Sequence, residues 1–201
     1  EFNRQIVSKI ATWHFCPTNS NARHLMDEGV DKKNIIITGN TVVDALLMTR
    51  RRLNTDKSFS GKTIADLEKK IPFDWLSKQY VVITAHRRES FGSGLLQIFE
   101  AILKLSDKLP YIDFIFPAHM NPKVSGTAHR VLGGKRNIHL IEPVGYASFV
   151  HLIDNCYFVL TDSGGIQEEA PSLDKPVLVM RELTEREEAV SAGCVKLVGT
   201  E

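Results

Sequence analysis

Tyr157-Phe158-Val159-Leu160-Thr161-Asp162-Ser163-Gly164-Gly165-Ile166-Gln167-Glu168-Glu169-Ala170 reads as strand, tight turn and helix start. Its first five residues are aromatic, β-branched or aliphatic, as in a strand buried in a parallel sheet. Asp162 and Ser163 are residue types that cap helix N-termini. Gly164 and Gly165 lack the Cβ atoms that would hold a ligand off the backbone. The N–H groups of a first helical turn have no partner within the helix and carry the positive end of its dipole. The combination suits a phosphate or pyrophosphate. An ordinary strand-to-helix turn, with glycines for tightness, is the alternative reading.

Working outward, the alternation of strand and helix recurs. Strands are expected at 177–180 and 195–198 on one side, and at 138–141, 112–116 and 80–84 on the other, with helices over 95–109 and 149–153. Nearer the N-terminus a helix over 3–12 leads to a short strand at 14–16. A helix over 19–28 stops at Gly29, a buried strand follows at 34–38, and a helix runs to Arg50-Arg51-Arg52, read as a solvated end. Residues 54–73 are polar, with one helix-like piece at 64–67 and Pro72 at the close. This gives an organisation of 1–53 as the end of a first domain, 54–79 as a linker region, and 80–201 as a second domain. The fold class is α/β, a doubly wound, mostly parallel, Rossmann-like sheet.

Composition bounds the partners. Lys and Arg total 25 against 24 Asp and Glu, a net charge of +1, so no bulk field draws the chain to nucleic acid or anionic lipid. Cys16, Cys156 and Cys194 are odd in number and widely spaced in apolar surroundings, which suits reduced thiols rather than disulfides or a metal site and points to the cytoplasm. No apolar run approaches the roughly 18 residues of a membrane span. The chain opens without methionine and closes just after a strand with no covering helix, so a piece of a longer protein is expected.

Ligands of such sheets bind outside the carboxyl ends of the strands. There the sequence places His86-Arg87-Arg88-Glu89-Ser90-Phe91-Gly92, Pro117-Ala118-His119-Met120-Asn121-Pro122, the glycine turn, and Arg181-Glu182-Leu183-Thr184-Glu185-Arg186, whose two arginines suit a dianionic ligand.

His86-Arg87-Arg88-Glu89, the stretch 161–172, and Pro176-Val177-Leu178-Val179-Met180-Arg181 with Thr184-Glu185-Arg186 resemble non-hydrolysing UDP-N-acetylglucosamine 2-epimerases. So do His14-Phe15-Cys16-Pro17-Thr18 and Thr38-Gly39-Asn40-Thr41-Val42-Val43-Asp44-Ala45, which extends the resemblance from end to end. It implies a GT-B arrangement of two Rossmann-like domains with the nucleotide sugar between them. The implied chemistry is cofactor-free and metal-free: UDP leaves across C1 and C2 to give 2-acetamidoglucal, then adds back with C2 inverted, yielding UDP-N-acetylmannosamine for surface polysaccharide.

By the same resemblance, Ser163, Gly164 and Gly165 hold the pyrophosphate. Glu169 accepts from the ribose hydroxyls, His86 and Arg186 face the phosphates where charge grows on departing UDP, and Phe149 lies by the uracil. UDP-N-acetylglucosamine and UDP are the implied ligands, and a homodimer the implied assembly of the full-length protein. Two departures stand out. Val144 replaces a glutamine of the uracil-side loop, and Glu187 replaces a proline, adding an acid beside Arg186. Glu1 is similar to the second member of a glutamate pair whose first carries catalysis, and the family's other acid and base groups belong mostly to the first domain. The chain by itself is therefore expected to be inactive. A GT-B glycosyltransferase, a hydrolysing relative and a non-catalytic UDP-sugar-binding module are the competing readings.

Overall fold

In a computed structural model, which describes residues 2–85, 93–118 and 122–200, the chain divides after Ala45 into two units. The first contains α1 (Phe2–Ile10), β1 (His14–Cys16), α2 (Asn19–Asp27), a 3-10 turn at Lys32–Asn34 and β2 (Ile35–Ile37). Thr18 starts α2, its hydroxyl accepting from the Asn21 N–H at 3.2 Å, and Gly29 stops it at φ +85°, a conformation that costs glycine little. β1 and β2 pair in parallel, His14 with Ile35 and Cys16 with Ile37. The expectation of a buried second strand is corrected here: Ile36 and Ile37 are 41% and 49% exposed. A sheet of two strands covers few side chains within its own unit. No residue of α1 is buried for the same reason.

The helix α3 (Thr41–Thr55) runs across the division, and α4 (Lys57–Glu68) follows it after a one-residue break. Asp56 makes the break, its carboxylate accepting from the Phe59 N–H at 3.0 Å as an N-cap. The stretch expected to link two domains is therefore packed, since Leu67, Ile71 and Trp75 belong to the core of the second unit. Its polar text fits this packing, because α4 buries one narrow face on which Thr63 stands beside Leu67.

The second unit is organised on β3 (Tyr80–Thr84), whose first four residues are buried. β4 (Asp113–Pro117) and β5 (Ile138–Ile141) lie on one side of it. On the other lie β6 (Phe158–Thr161), β7 (Val177–Val179) and β8 (Val195–Leu197). The order is β5-β4-β3-β6-β7-β8 and every pairing is parallel. Helices connect the strands: α5 (Ser93–Lys108), α6 (Pro122–Leu132), α7 (Tyr146–Asn155), α8 (Ile166–Glu169) and α9 (Glu187–Ser191). The doubly wound expectation holds, with α6 as a further helix beyond those expected.

Alternation along the strands makes two cores. Val81 and Ile83 face Phe99, Ile102, Val124 and Leu132 of α5 and α6, whereas Tyr80 and Val82 face Leu67, Leu152 and Ile153 of α4 and α7. Each fully buried aliphatic side chain contributes about 1.5–3 kcal/mol relative to exposure, so a central strand with both faces covered is held firmly. Tyr80 meets its polar requirement by donating from its hydroxyl to the Leu152 carbonyl at 2.9 Å, and burial raises its pKa. The three cysteines are free thiols, as expected; Cys16 and Cys156 are buried while Cys194 is exposed, against the apolar setting expected of all three. Burial pushes the Cys156 thiol up to about 12, so it is inert as a nucleophile. No described helix is long and apolar enough to cross a membrane.

Candidate functional site

The strand order reverses between β3 and β6, and their carboxyl ends form the crevice where such sheets take ligands. Thr84 and Thr161 are the last residues of the two strands and lie in register, with hydroxyl oxygens 2.5 Å apart. Thr161 Oγ1 also accepts from the Ser163 N–H at 2.9 Å, and the Asp162 N–H donates to the Thr84 carbonyl at 3.1 Å. Asp162 is wholly buried. These bonds strap the start of the glycine turn to the seam between the strands.

Asp162 and Ser163 do not cap the following helix. The cap position is Gly165, which makes no side-chain cap bond, and α8 is a single turn that continues into a 3-10 turn at Pro171–Leu173. One turn sums few peptide dipoles, so attraction for an anion here rests on local N–H groups rather than on a helix macrodipole. Gly165 has φ −66° and ψ −42°, which any L-residue adopts. A Cβ built on it meets only Glu169 Oε2, at 3.8 Å. Neither backbone conformation nor packing within the protein requires glycine at this position.

Opposite the turn lies the 181–186 loop. Arg181 donates through both terminal nitrogens to Glu185, each at 3.2 Å, and Arg186 Nε donates to the Glu168 carboxylate. Both cations that the sequence offered to a dianion thus carry a carboxylate partner. The acid against Arg186 is Glu168 of α8; the side chain of Glu187, expected in that role, lies outside the described residues. Thr184 Oγ1 donates to Gln167 Oε1 and accepts from the Arg186 N–H at 3.1 Å, while Gln167 Nε2 donates to the Ser163 carbonyl at 3.1 Å.

Glu169 is half-buried on α8. Burial, and after it the neighbouring Glu168 carboxylate, hold its carboxyl above the usual range. Burial, and then the charge of Glu169, raise the hydroxyl of Tyr146, the first residue of α7. Phe149 and Val144 are partly buried against the core beneath. Ser163, Gly164, Gly165, Glu169 and Arg186 are therefore brought to one rim, with Phe149 on the adjoining helix. His86 and His119 lie outside the described residues, as does Glu1. Gln167 and Glu168 join the site through contacts that the sequence signals only by spacing, since Gln167 stands four residues after Ser163 and a helical turn brings its amide back to that carbonyl. Among the described residues no three His, Cys, Asp or Glu gather as a metal site needs.

A family model described as UDP-N-acetylglucosamine 2-epimerase matches residues 1–201. The chain belongs to that family. A probable UDP-N-acetylglucosamine 2-epimerase of Ralstonia solanacearum is 50% identical over 200 residues, covering 100% of this chain and 52% of its own length. The Campylobacter jejuni epimerase is 48% identical over 199 residues, covering 99% and 52%. Among solved epimerases, that of Neisseria meningitidis bound to UDP-GlcNAc superposes with a TM-score of 0.92 at 44% identity, covering 100% of this chain and 53% of that one. The Methanocaldococcus jannaschii epimerase in complex with UDP-GlcNAc and UDP gives 0.83 at 30% identity, covering 100% and 54%. The chain spans about half the length of the curated epimerases it matches. These structural neighbours are GT-B UDP-GlcNAc 2-epimerases, in line with the expected fold class.

Proposed function

We propose that the whole polypeptide to which this chain corresponds interconverts UDP-N-acetylglucosamine and UDP-N-acetylmannosamine, and that this chain supplies the UDP-holding side of the site. The observation that carries the reading is Gly165, a glycine in ordinary helical conformation whose missing side chain would meet only Glu169 Oε2, at 3.8 Å, on a rim that also bears Arg186 and Glu169. Gly61, Gly126 and Gly145 also lack strain and close contacts, and what sets Gly165 apart is its place just past the carboxyl end of β6, in the crevice where such sheets take ligands.

In this reading Ser163, Gly164 and Gly165 cradle the diphosphate, Glu169 accepts from the ribose hydroxyls, and Phe149 flanks the uracil. Arg186, with His86, donates to the leaving UDP as its charge develops across the C1–O bond. Elimination takes a proton from C2 as UDP departs, and re-addition returns a proton to the opposite face of C2. The proton-moving carboxylates belong, by resemblance, to the other half of the polypeptide, so this chain alone binds UDP weakly and does not turn over. A homodimer in the cytoplasm is the proposed working form. NMR analysis of the full-length protein's products from UDP-N-acetylglucosamine tests the proposal. Inversion at C2 with UDP still attached supports it; transfer to an acceptor, or release of free N-acetylmannosamine, would replace it with a glycosyltransferase or a hydrolysing enzyme.

A further inference from the structure

Gln167 is wholly buried on a helix whose next two residues, Glu168 and Glu169, reach solvent. Burying an amide is unfavourable unless both of its ends are bonded, and an apolar side chain would fill the same space without that demand. Here both ends are bonded, and to different loops. The direction of each bond is fixed. The Ser163 carbonyl can only accept, so the amide nitrogen faces it; Gln167 Oε1 can then only accept, and Thr184 Oγ1 gives it its proton while accepting from the Arg186 N–H. Turning the amide over would set its oxygen against that carbonyl. The adjacent residue, Glu168, holds the Arg186 side chain while Gln167 holds its backbone through Thr184.

We propose that Gln167 is a positioning residue: by bonding the Ser163–Gly165 turn to the 184–186 loop it fixes the spacing between two groups of anion donors, to suit a nucleoside diphosphate. This rests on the reading of the rim as a UDP site.

The test uses the 201-residue chain, its Gln167→Leu and Gln167→Glu variants, and Thr184→Val, which breaks the same link without changing the buried amide. The ligand-free readout is protection of the Arg186 amide against hydrogen exchange; the ligand readouts are UDP and uridine titrations followed by amide NMR. Loss of one buried hydrogen bond corresponds to about a tenfold change, so Arg186 protection falls about tenfold in Gln167→Leu and in Thr184→Val. UDP affinity falls by a similar factor, about tenfold, while uridine affinity holds. Gln167→Glu discriminates further. Its protonated carboxyl donates to Ser163 and accepts from Thr184 as the amide does; once ionised it can only accept, so the Thr184 bond and Arg186 protection persist while the bond to the Ser163 carbonyl, and with it UDP affinity, is lost as pH rises.

Unchanged Arg186 protection in Gln167→Leu overturns the link, since that variant leaves Thr184 in place as the acceptor of the Arg186 N–H. Reduced protection with unchanged UDP affinity, or with equal losses for UDP and uridine, overturns the positioning role. If UDP does not bind the unsubstituted full-length protein, the nucleotide reading fails and this role fails with it, whereas the ligand-free protection of the 201-residue chain still reports whether the two loops are joined. Should Gln167→Leu not fold, Thr184→Val and the pH series of Gln167→Glu decide.

Discussion

Replacing Gly165 with alanine separates a ligand-shaped turn from a merely tight one. The residue already has α-helical dihedrals, φ −66° and ψ −42°, so the substitution introduces no strain. Its new methyl meets a single atom, Glu169 Oε2, at the ordinary van der Waals distance of 3.8 Å. Removing glycine also restricts the unfolded chain. At a compatible position this stabilises by about 0.4–1 kcal/mol, and the helical dihedrals of Gly165 limit the usual penalty for alanine at a helix cap. The ligand-free protein is therefore expected to unfold at higher urea concentration, with an unchanged slope. UDP should respond in the opposite direction, because the methyl lies between the backbone N–H groups and the phosphate. Loss of one hydrogen bond to a charged group is about 1.5–3 kcal/mol, or roughly 10- to 150-fold in dissociation constant. Calorimetric titration of the full-length protein with UDP and with uridine reads this, and uridine should bind nearly as before. Lower stability of Gly165→Ala would show that the turn needs its glycine for the fold, and parallel losses of UDP and uridine would refute the phosphate argument.

Three further outcomes are expected. Arg186→Ala in the full-length protein should lower turnover by about 2–4 kcal/mol of transition-state stabilisation with a smaller change in KM; steady-state kinetics check this, and a pure KM effect would count against donation to departing UDP. The raised pKa of Glu169 means that the folded state holds its proton more tightly than the unfolded state, so its contribution to stability is present at low pH and lost as pH rises through the folded pKa. Glu169→Gln should accordingly stabilise the ligand-free chain at about pH 7 and leave it little changed near pH 4, read from urea midpoints; the reverse ordering would contradict the burial argument. Phe99, wholly buried and 5.8 Å from Phe116 between ring centroids, should cost about 3–5 kcal/mol when replaced by alanine, and a loss below about 1 kcal/mol would show that the α5 face of the sheet repacks freely.

The second unit was legible because its strands are continuous apolar runs between turn residues, as in Tyr80–Thr84 and Phe158–Thr161, and such runs have no alternative to burial on both faces. α4 and α6 were harder to read. α4 turns only one face to the core, and Thr63, buried through a hydroxyl bond to the Phe59 carbonyl, reads as surface until its partner is seen. In the site, sequence order and glycine spacing brought Ser163, Gly165 and Glu169 together. It could not show that Arg186 is shared with Glu168 or that Gln167 spans two loops, because those relations cross 17 or 18 positions and depend on how a loop folds back.

The reversal of strand order has a kinetic meaning. Val81 pairs with Phe158, a separation of 158 − 81 = 77 residues, whereas β7 pairs with β6 across 177 − 159 = 18 and β4 with β3 across 113 − 80 = 33. Closing the longer connection costs about 1 kcal/mol more in chain entropy than closing the shortest, and contacts so distant in sequence form late. Each half of the sheet can assemble through its own short crossovers, and joining them at the Thr84–Thr161 hydroxyl contact creates the crevice. A polypeptide interrupted between Ile141 and Tyr146 should thus yield two pieces that reassemble along that seam, with a nucleotide lying across it favouring the rejoined form.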